Sequence, residues 1–160
     1  MKKLKLYIET STWNFIFADD APEKKEITKT FFALTKKGSY EIYISEVVLR
    51  EFDKAPSQKK DQLMELINQF APAMVEMTQD AETLAQNYIK RKIVPEHKIE
   101  DALHIGVATV AELDAVVTWN YQHLANLRRE ELFQSVNLEF GYLKRIEIIT
   151  PMEVIGDETR

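Results

Sequence analysis

The chain opens with Lys3-Leu4-Lys5-Leu6-Tyr7-Ile8-Glu9-Thr10-Ser11-Thr12. Leu4, Leu6, Tyr7 and Ile8 form a short apolar run that ends on a carboxylate, Glu9, and hydroxyl side chains follow at once. The run reads as a first β-strand. In open α/β sheets ligands bind outside the carboxyl ends of the strands, which is where a catalytic acid would sit. Glu9 is equally consistent with a polar residue leaving a strand, with Ser11 or Thr12 capping the next helix.

Beyond this strand the chain alternates helical and extended patterns. Thr12 to Ala18 is short and rich in aromatic residues. A helix is expected from Asp19-Asp20-Ala21-Pro22 to Lys37, with Pro22 in its first turn and Ile27, Phe31, Phe32 and Leu34 on an apolar face. Gly38-Ser39 ends it. Tyr40 to Ile44 reads as a second strand, and Ser45 as the N-cap of a helix over 46–52. Glu51 lies among the apolar positions of that helix, and a glutamate beside a buried face needs a reason. A helix over 58–70, a short strand at 73–77 and a helix over 80–92 come next. From Lys98 to Leu113 small and apolar residues extend nearly all the way round, the pattern of a buried helix. Glu100 and Asp101 stand in its first turn, where the helix dipole favours negative charge. Asp114 starts a strand over 115–118, with Trp119-Asn120-Tyr121-Gln122-His123 on its outgoing loop. Residues 128–144 read as part helix and part loop, 146–149 as a last strand, and 151–154 as a closing helical turn.

No tight hairpin signal joins two strands, so the strands are expected to run parallel with crossover helices between them. The predicted fold is a three-layer α/β/α sandwich with a central, mostly parallel sheet. It is expected to form one domain over residues 1–155, with a flexible tail at 156–160.

Composition narrows the chemistry. The chain has 160 residues, 45% of them hydrophobic and 29% charged, as a folded domain with a substantial core requires. No apolar run approaches the roughly 20 residues of a membrane span, and the basic N-terminus lacks the pattern of a secretory signal. A cytoplasmic protein without a membrane partner is expected. With no cysteine, disulfides and thiolate–zinc sites are excluded. A net charge of −5 argues against gripping nucleic acid through bulk positive charge, yet leaves room for an acidic active site with a local basic rim. Lys36-Lys37, Lys90-Arg91-Lys92 and Arg128-Arg129 are candidates for such a rim.

The glycines, at 38, 106, 141 and 156, form no dinucleotide-binding or P-loop pattern. No Gly-x-Ser-x-Gly elbow is present, and His97, His104 and His123 make no His-Glu-x-x-His pair. What remains is carboxylates. Glu9, Glu51 and Asp101, with Asn120 and His123 after the fourth strand, fall at strand ends or on neighbouring helices. Acids gathered at one sheet edge repel one another unless a cation lies between them, and oxygen-rich sites suit magnesium or manganese. Such a metal can generate a hydroxide and stabilise charge on a phosphodiester. Each position also has a plain structural reading. Glu51 could pair with Arg50 or Lys54, Glu100 and Asp101 could serve only the helix dipole, His104 could be a hydrogen-bonded histidine, and His123 could pack beside Trp119.

Four segments, taken in order, resemble the PIN domain, and more narrowly the VapC-type ribonuclease toxins of bacterial toxin–antitoxin pairs. They are Leu6-Tyr-Ile-Glu-Thr-Ser-Thr12, Ile44-Ser-Glu-Val-Val-Leu-Arg-Glu51, Glu100-Asp-Ala-Leu-His-Ile-Gly-Val-Ala108 and Val117-Thr-Trp-Asn-Tyr-Gln-His123. The resemblance implies an endoribonuclease dependent on Mg2+ or Mn2+. It places Glu9, Glu51, Asp101 and Asn120 in the catalytic set, with Glu9 and Asp101 as metal ligands and Glu51 as ligand or water-orienting base. Thr10, Ser11, Glu100, His104 and His123 would then support the site or touch substrate. Glu9 stands where the family has an aspartate, and His123 where many members have another. The alternative reading is therefore a weakened or inactive PIN-like binding module that keeps the fold and a protein partner. The resemblance further implies RNA as substrate, a small antitoxin as partner and a homodimer. The apolar positions at 27–34 and 58–70 are candidate contacts for those partners.

Overall fold

The computed structural model describes residues 2–158. Five strands form one sheet: β1 (Leu4–Ile8), β2 (Tyr40–Ser45), β3 (Ala73–Val75), β4 (Ala115–Val117) and β5 (Glu147–Ile149). Every pairing is parallel, and the spatial order is β3-β2-β1-β4-β5. β1 is thus the middle strand, and Leu6, Tyr7 and Ile8 are all buried. A central parallel strand is covered on both faces, so its sequence is a continuous apolar run rather than an alternation.

From β1 the chain steps outward through β2 to β3, then crosses back to β4 and on to β5. Right-handed crossovers place helices made during steps in opposite directions on opposite faces. Accordingly α2 (Pro22–Thr35) and α4 (Ser57–Phe70) belong to one layer, while α5 (Gln79–Lys90), α6 (Ile99–Val110) and α7 (Leu127–Glu139) form the other. α5 packs against both α6 and α7, and α8 (Pro151–Glu158) packs on α2. The direction of travel reverses between β1 and β4, so the crevice beyond their carboxyl ends is the topological switch point of the sheet. Glu9 and Thr118 are the first residues past those two ends.

α6 is buried as its sequence predicts, with every residue from Asp101 to Thr109 inside. Its close approach to α5 depends on Gly106, where a Cβ would come 2.7 Å from the carbonyl oxygen of Ala81. Small residues at Ala81 and Ala85 on α5 meet it.

Three segments differ from the sequence expectation. The aromatic stretch after β1 is helical, α1 (Thr10–Asn14) followed by a 3-10 turn over 15–17. Its signal was hidden because the N-cap is Glu9, whose Oε1 accepts from Ser11 N at 3.1 Å, and capping is usually done by shorter side chains. Residues 128–144 resolve into α7, capped by Asn126 Oδ1 on Arg129 N at 2.9 Å. Its four buried residues include the polar Gln134 and Asn137, which blurs the apolar periodicity. It ends at Gly141, whose φ of 88° lets Tyr142 N reach Asn137 O at 2.9 Å. Finally, α8 continues through Glu158, into the stretch read as a tail, while residues 159 and 160 lie outside the described residues. Among the described residues no helix is long and apolar enough to cross a membrane.

Candidate active site

Glu9 turns from the end of β1 into the crevice between β1 and β4, and only 4% of it is exposed. Its Oε1 accepts from Ser11 N at 3.1 Å, Ser11 Oγ at 2.5 Å and Thr118 Oγ1 at 2.7 Å. The methylene that distinguishes it from aspartate is thereby folded into the cap of α1. Its Oε2 makes no hydrogen bond among the described residues and lies 3.9 Å from His104 Nε2. Burial raises the carboxyl above its ordinary range, against the opposing pull of His104, Ser11 and Thr118.

Glu51 enters from α3 (Glu46–Phe52), which starts where Ser45 Oγ accepts from Val47 N at 3.2 Å. Thr10 Oγ1 donates to Glu51 Oε1 at 2.6 Å, and His104 Nε2 lies 2.5 Å from the same oxygen. Burial would raise Glu51, but the hydrogen bond and charge of His104, with help from Thr10 and Lys54, leave it below the usual carboxylate range. His104 is fully buried on α6, and its Nδ1 shares a 2.6 Å hydrogen bond with Tyr7 OH, which in turn shares one of 2.8 Å with Ser45 Oγ. Burial pulls its imidazole down, yet Glu51, Glu9 and Asp101 outweigh that and raise it. Tyr7, buried in the same chain of hydrogen bonds, is driven well upward and stays a phenol.

Ligand atoms of Glu9, Glu51 and His104 all lie within 4.8 Å of one another. Asp101, one helical turn before His104, faces the same region from the first turn of α6 and is 7% exposed. Asn120 Nδ2 donates to Asp101 Oδ2 at 3.2 Å, and His123 N donates to Asn120 Oδ1 at 3.0 Å. Burial raises Asp101 as well, with Glu51 adding to the rise and His104, His123 and Asn120 opposing it. Glu100 is directed elsewhere: it pairs with Lys54 at 2.8 Å on the surface, which holds it below its ordinary range. His123 is buried, its Nδ1 has no hydrogen-bond partner, and burial lowers its imidazole below the ordinary value.

Of the residues singled out in the sequence, Glu9, Thr10, Ser11, Glu51, Asp101, His104 and Asn120 are thus tied into one hydrogen-bonded and charge-coupled region. The compact trio is Glu9, Glu51 and His104, so the histidine stands closer to the two glutamates than its reading as a supporting residue implied. Tyr7, Ser45 and Thr118, which hold the others, escaped notice because each reads as an ordinary strand residue or cap. The donor set is dominated by carboxylates. Each acid has one oxygen held by the protein and a second oxygen with no hydrogen bond among the described residues. Hard oxygen donors of this kind fit a small divalent cation.

Solved structures share this architecture. VapC20 of Mycobacterium tuberculosis, a toxin that cleaves the sarcin–ricin loop, matches with a TM-score of 0.57 at 14% identity, over 87% of this chain and 97% of VapC20. VapBC2 of Rickettsia felis, in a structure bound to a DNA fragment from its promoter, matches with a TM-score of 0.55 at 13% identity, over 92% of this chain and 98% of that one. No protein-family profile matches the sequence, and no curated protein matches it. The five-stranded parallel sandwich is therefore a PIN-like fold. Within that class it has the fold of the VapC-type toxins.

Proposed function

We propose that this chain is a metal-dependent endoribonuclease acting in the cytoplasm as the toxin of a toxin–antitoxin pair. The observation that carries the reading is the meeting of Glu9, Glu51 and His104 within 4.8 Å at the switch point of the sheet, with Asp101 and Asn120 beside them. The likeness to the VapC toxins supports it, as does the nature of the donors.

Glu9, Glu51 and Asp101 would hold Mg2+ or Mn2+, which when bound supplies a Lewis acid for the phosphodiester and a more acidic water. The chain's own part is positioning. Ser11 and Thr118 fix Glu9 through one oxygen, and Asn120 fixes Asp101 in the same way. Thr10 and His104 fix Glu51, whose side chain is 23% exposed and the most open of the three acids. It would orient the attacking water and accept its proton. Asn120 would steady Asp101 against the approaching phosphate. A small antitoxin covering the acidic pocket and a homodimer complete the proposal.

The test is cleavage of single-stranded RNA with Mn2+ or Mg2+ added. The natural chain should cut, EDTA should stop it, and Asp101→Ala should lower the rate at least about 100-fold. Cutting that survives both EDTA and Asp101→Ala would overturn the reading.

A further inference from the structure

A cleft of about 600 Å3 is lined by Gln86, Lys90, Lys92, Glu96 and Arg129 among others. Two basic runs far apart in sequence meet there, one at the end of α5 and the other in the first turn of α7. They divide their labour. Arg91 turns away to pair with Glu139, whereas Lys90, Lys92 and Arg129 make no ion pair among the described residues. Glu96 is the one acid in the lining. In a chain with a net charge of −5, so concentrated a positive surface is a local exception.

The cleft is linked to the acids through Arg129 and the loop that carries His123. That ring is influenced by the charge of Asp101 on one side and by Arg129, Lys98 and His97 on the other. Its backbone N–H donates to Asn120, which donates to Asp101. Asn126 links the same loop to the cleft by capping Arg129 N. The loop that carries Asn120 and His123 thus leads from Asp101 to Arg129 in the wall of the cleft.

We propose that this cleft is the track for the substrate's backbone, in which Lys90, Lys92 and Arg129 each neutralise a phosphate of single-stranded RNA flanking the cut. The proposal rests on the ribonuclease reading and adds to it the route of the strand. Cations spaced along a cleft contact phosphates without reading bases, so they contribute affinity and salt dependence rather than sequence choice.

Lys92 makes the test clean. Its φ is 60°, the left-handed region that glycine occupies without strain, at the residue where Ile93 N closes back on Tyr88 O at 2.9 Å. Lys92→Gly removes the cation while relieving the backbone, so a loss of binding cannot come from a damaged fold. Binding is read from the anisotropy of a fluorescein-labelled single-stranded RNA, in EDTA to prevent cleavage, over a range of salt concentrations. Each of Lys90→Gln, Lys92→Gly and Arg129→Gln should flatten the slope of log K against log salt by about 0.7, or about 5-fold in affinity at 0.1 M salt. Lys92→Gly should also unfold at the same or a higher temperature. Lys37→Gln, before β2 and so at the amino ends of the strands, away from the acids at their carboxyl ends, should leave the slope unchanged. Slopes equal to that of the natural chain in all three cleft variants would overturn the proposal and leave an acidic protein segment as the cleft's occupant. Cleavage that still depends on Asp101 would then keep the ribonuclease reading standing. A natural chain that neither binds nor cuts RNA would overturn both.

Discussion

His104 and Arg145 each gather several carboxylates around one cation, at opposite extremes of environment. Arg145 lies 3.1 Å from Glu130, 2.8 Å from Glu131 and 3.4 Å from Glu147, and its side chain is 46% exposed. His104 is wholly buried, with Glu51 at 2.5 Å, Glu9 at 3.9 Å and the charge of Asp101 also acting on it. Around Arg145 the cation is permanent and water and salt screen Glu131 and Glu147, with Glu130 alone largely covered. Around His104 each acid is fixed by a hydroxyl, a backbone N–H or an amide, and the cation is a titratable ring. The acids around Arg145 share a permanent cation at the edge of solvent, whereas three anchored acids share a single buried imidazole. That difference separates a solvated ion network from a candidate metal centre.

The comparison is tested most severely by removing the two cations. Without metal, His104→Ala strips the buried glutamates of their counter-charge and should cost about 3–5 kcal/mol in urea unfolding, since an unpaired buried charge is left behind. A cost below that of an ordinary surface substitution would break the contrast. Thr118→Val removes the 2.7 Å hydrogen bond to Glu9 and should cost about 1.5–3 kcal/mol, as for other hydrogen bonds to charged groups. Glu130 gives a smaller effect that depends on pH. Burial and the neighbouring Glu147 push its carboxyl from 4.5 up to about 7, against Arg145. A raised carboxyl favours the folded state below the unfolded value and loses that contribution as pH rises through about 7. Glu130→Gln should therefore stabilise at pH 8 by about 1 kcal/mol after allowing for screening, with the gain gone near pH 4, as thermal unfolding at both pH values would show. Least of all, Arg145→Ala should change stability at neutral pH by no more than about 1 kcal/mol.

The fold was largely legible because the apolar run of β1 and the all-round burial of α6 are patterns that position in a sheet or core dictates. The acids were legible too: Glu9 follows a strand, Asp101 opens a helix, and Glu51 stands among the apolar positions of α3. What escaped was support by residues that look ordinary. Tyr7 reads as a strand aromatic until its hydroxyl is seen against His104, and Thr118 as a strand end until its Oγ1 meets Glu9. α1 escaped because a glutamate caps it. His104 was visible only as a histidine one turn beyond Asp101, and nothing local placed it between two glutamates from other elements. The basic runs gave no sign that Arg91 would leave the cleft while its neighbours stayed.

The most direct test of the proposed centre is the free Mn2+ signal in electron paramagnetic resonance, followed as protein is added. The account predicts that the natural chain depletes the free ion and that Glu9→Gln combined with Glu51→Gln abolishes the depletion. Equal depletion by both proteins would contradict it.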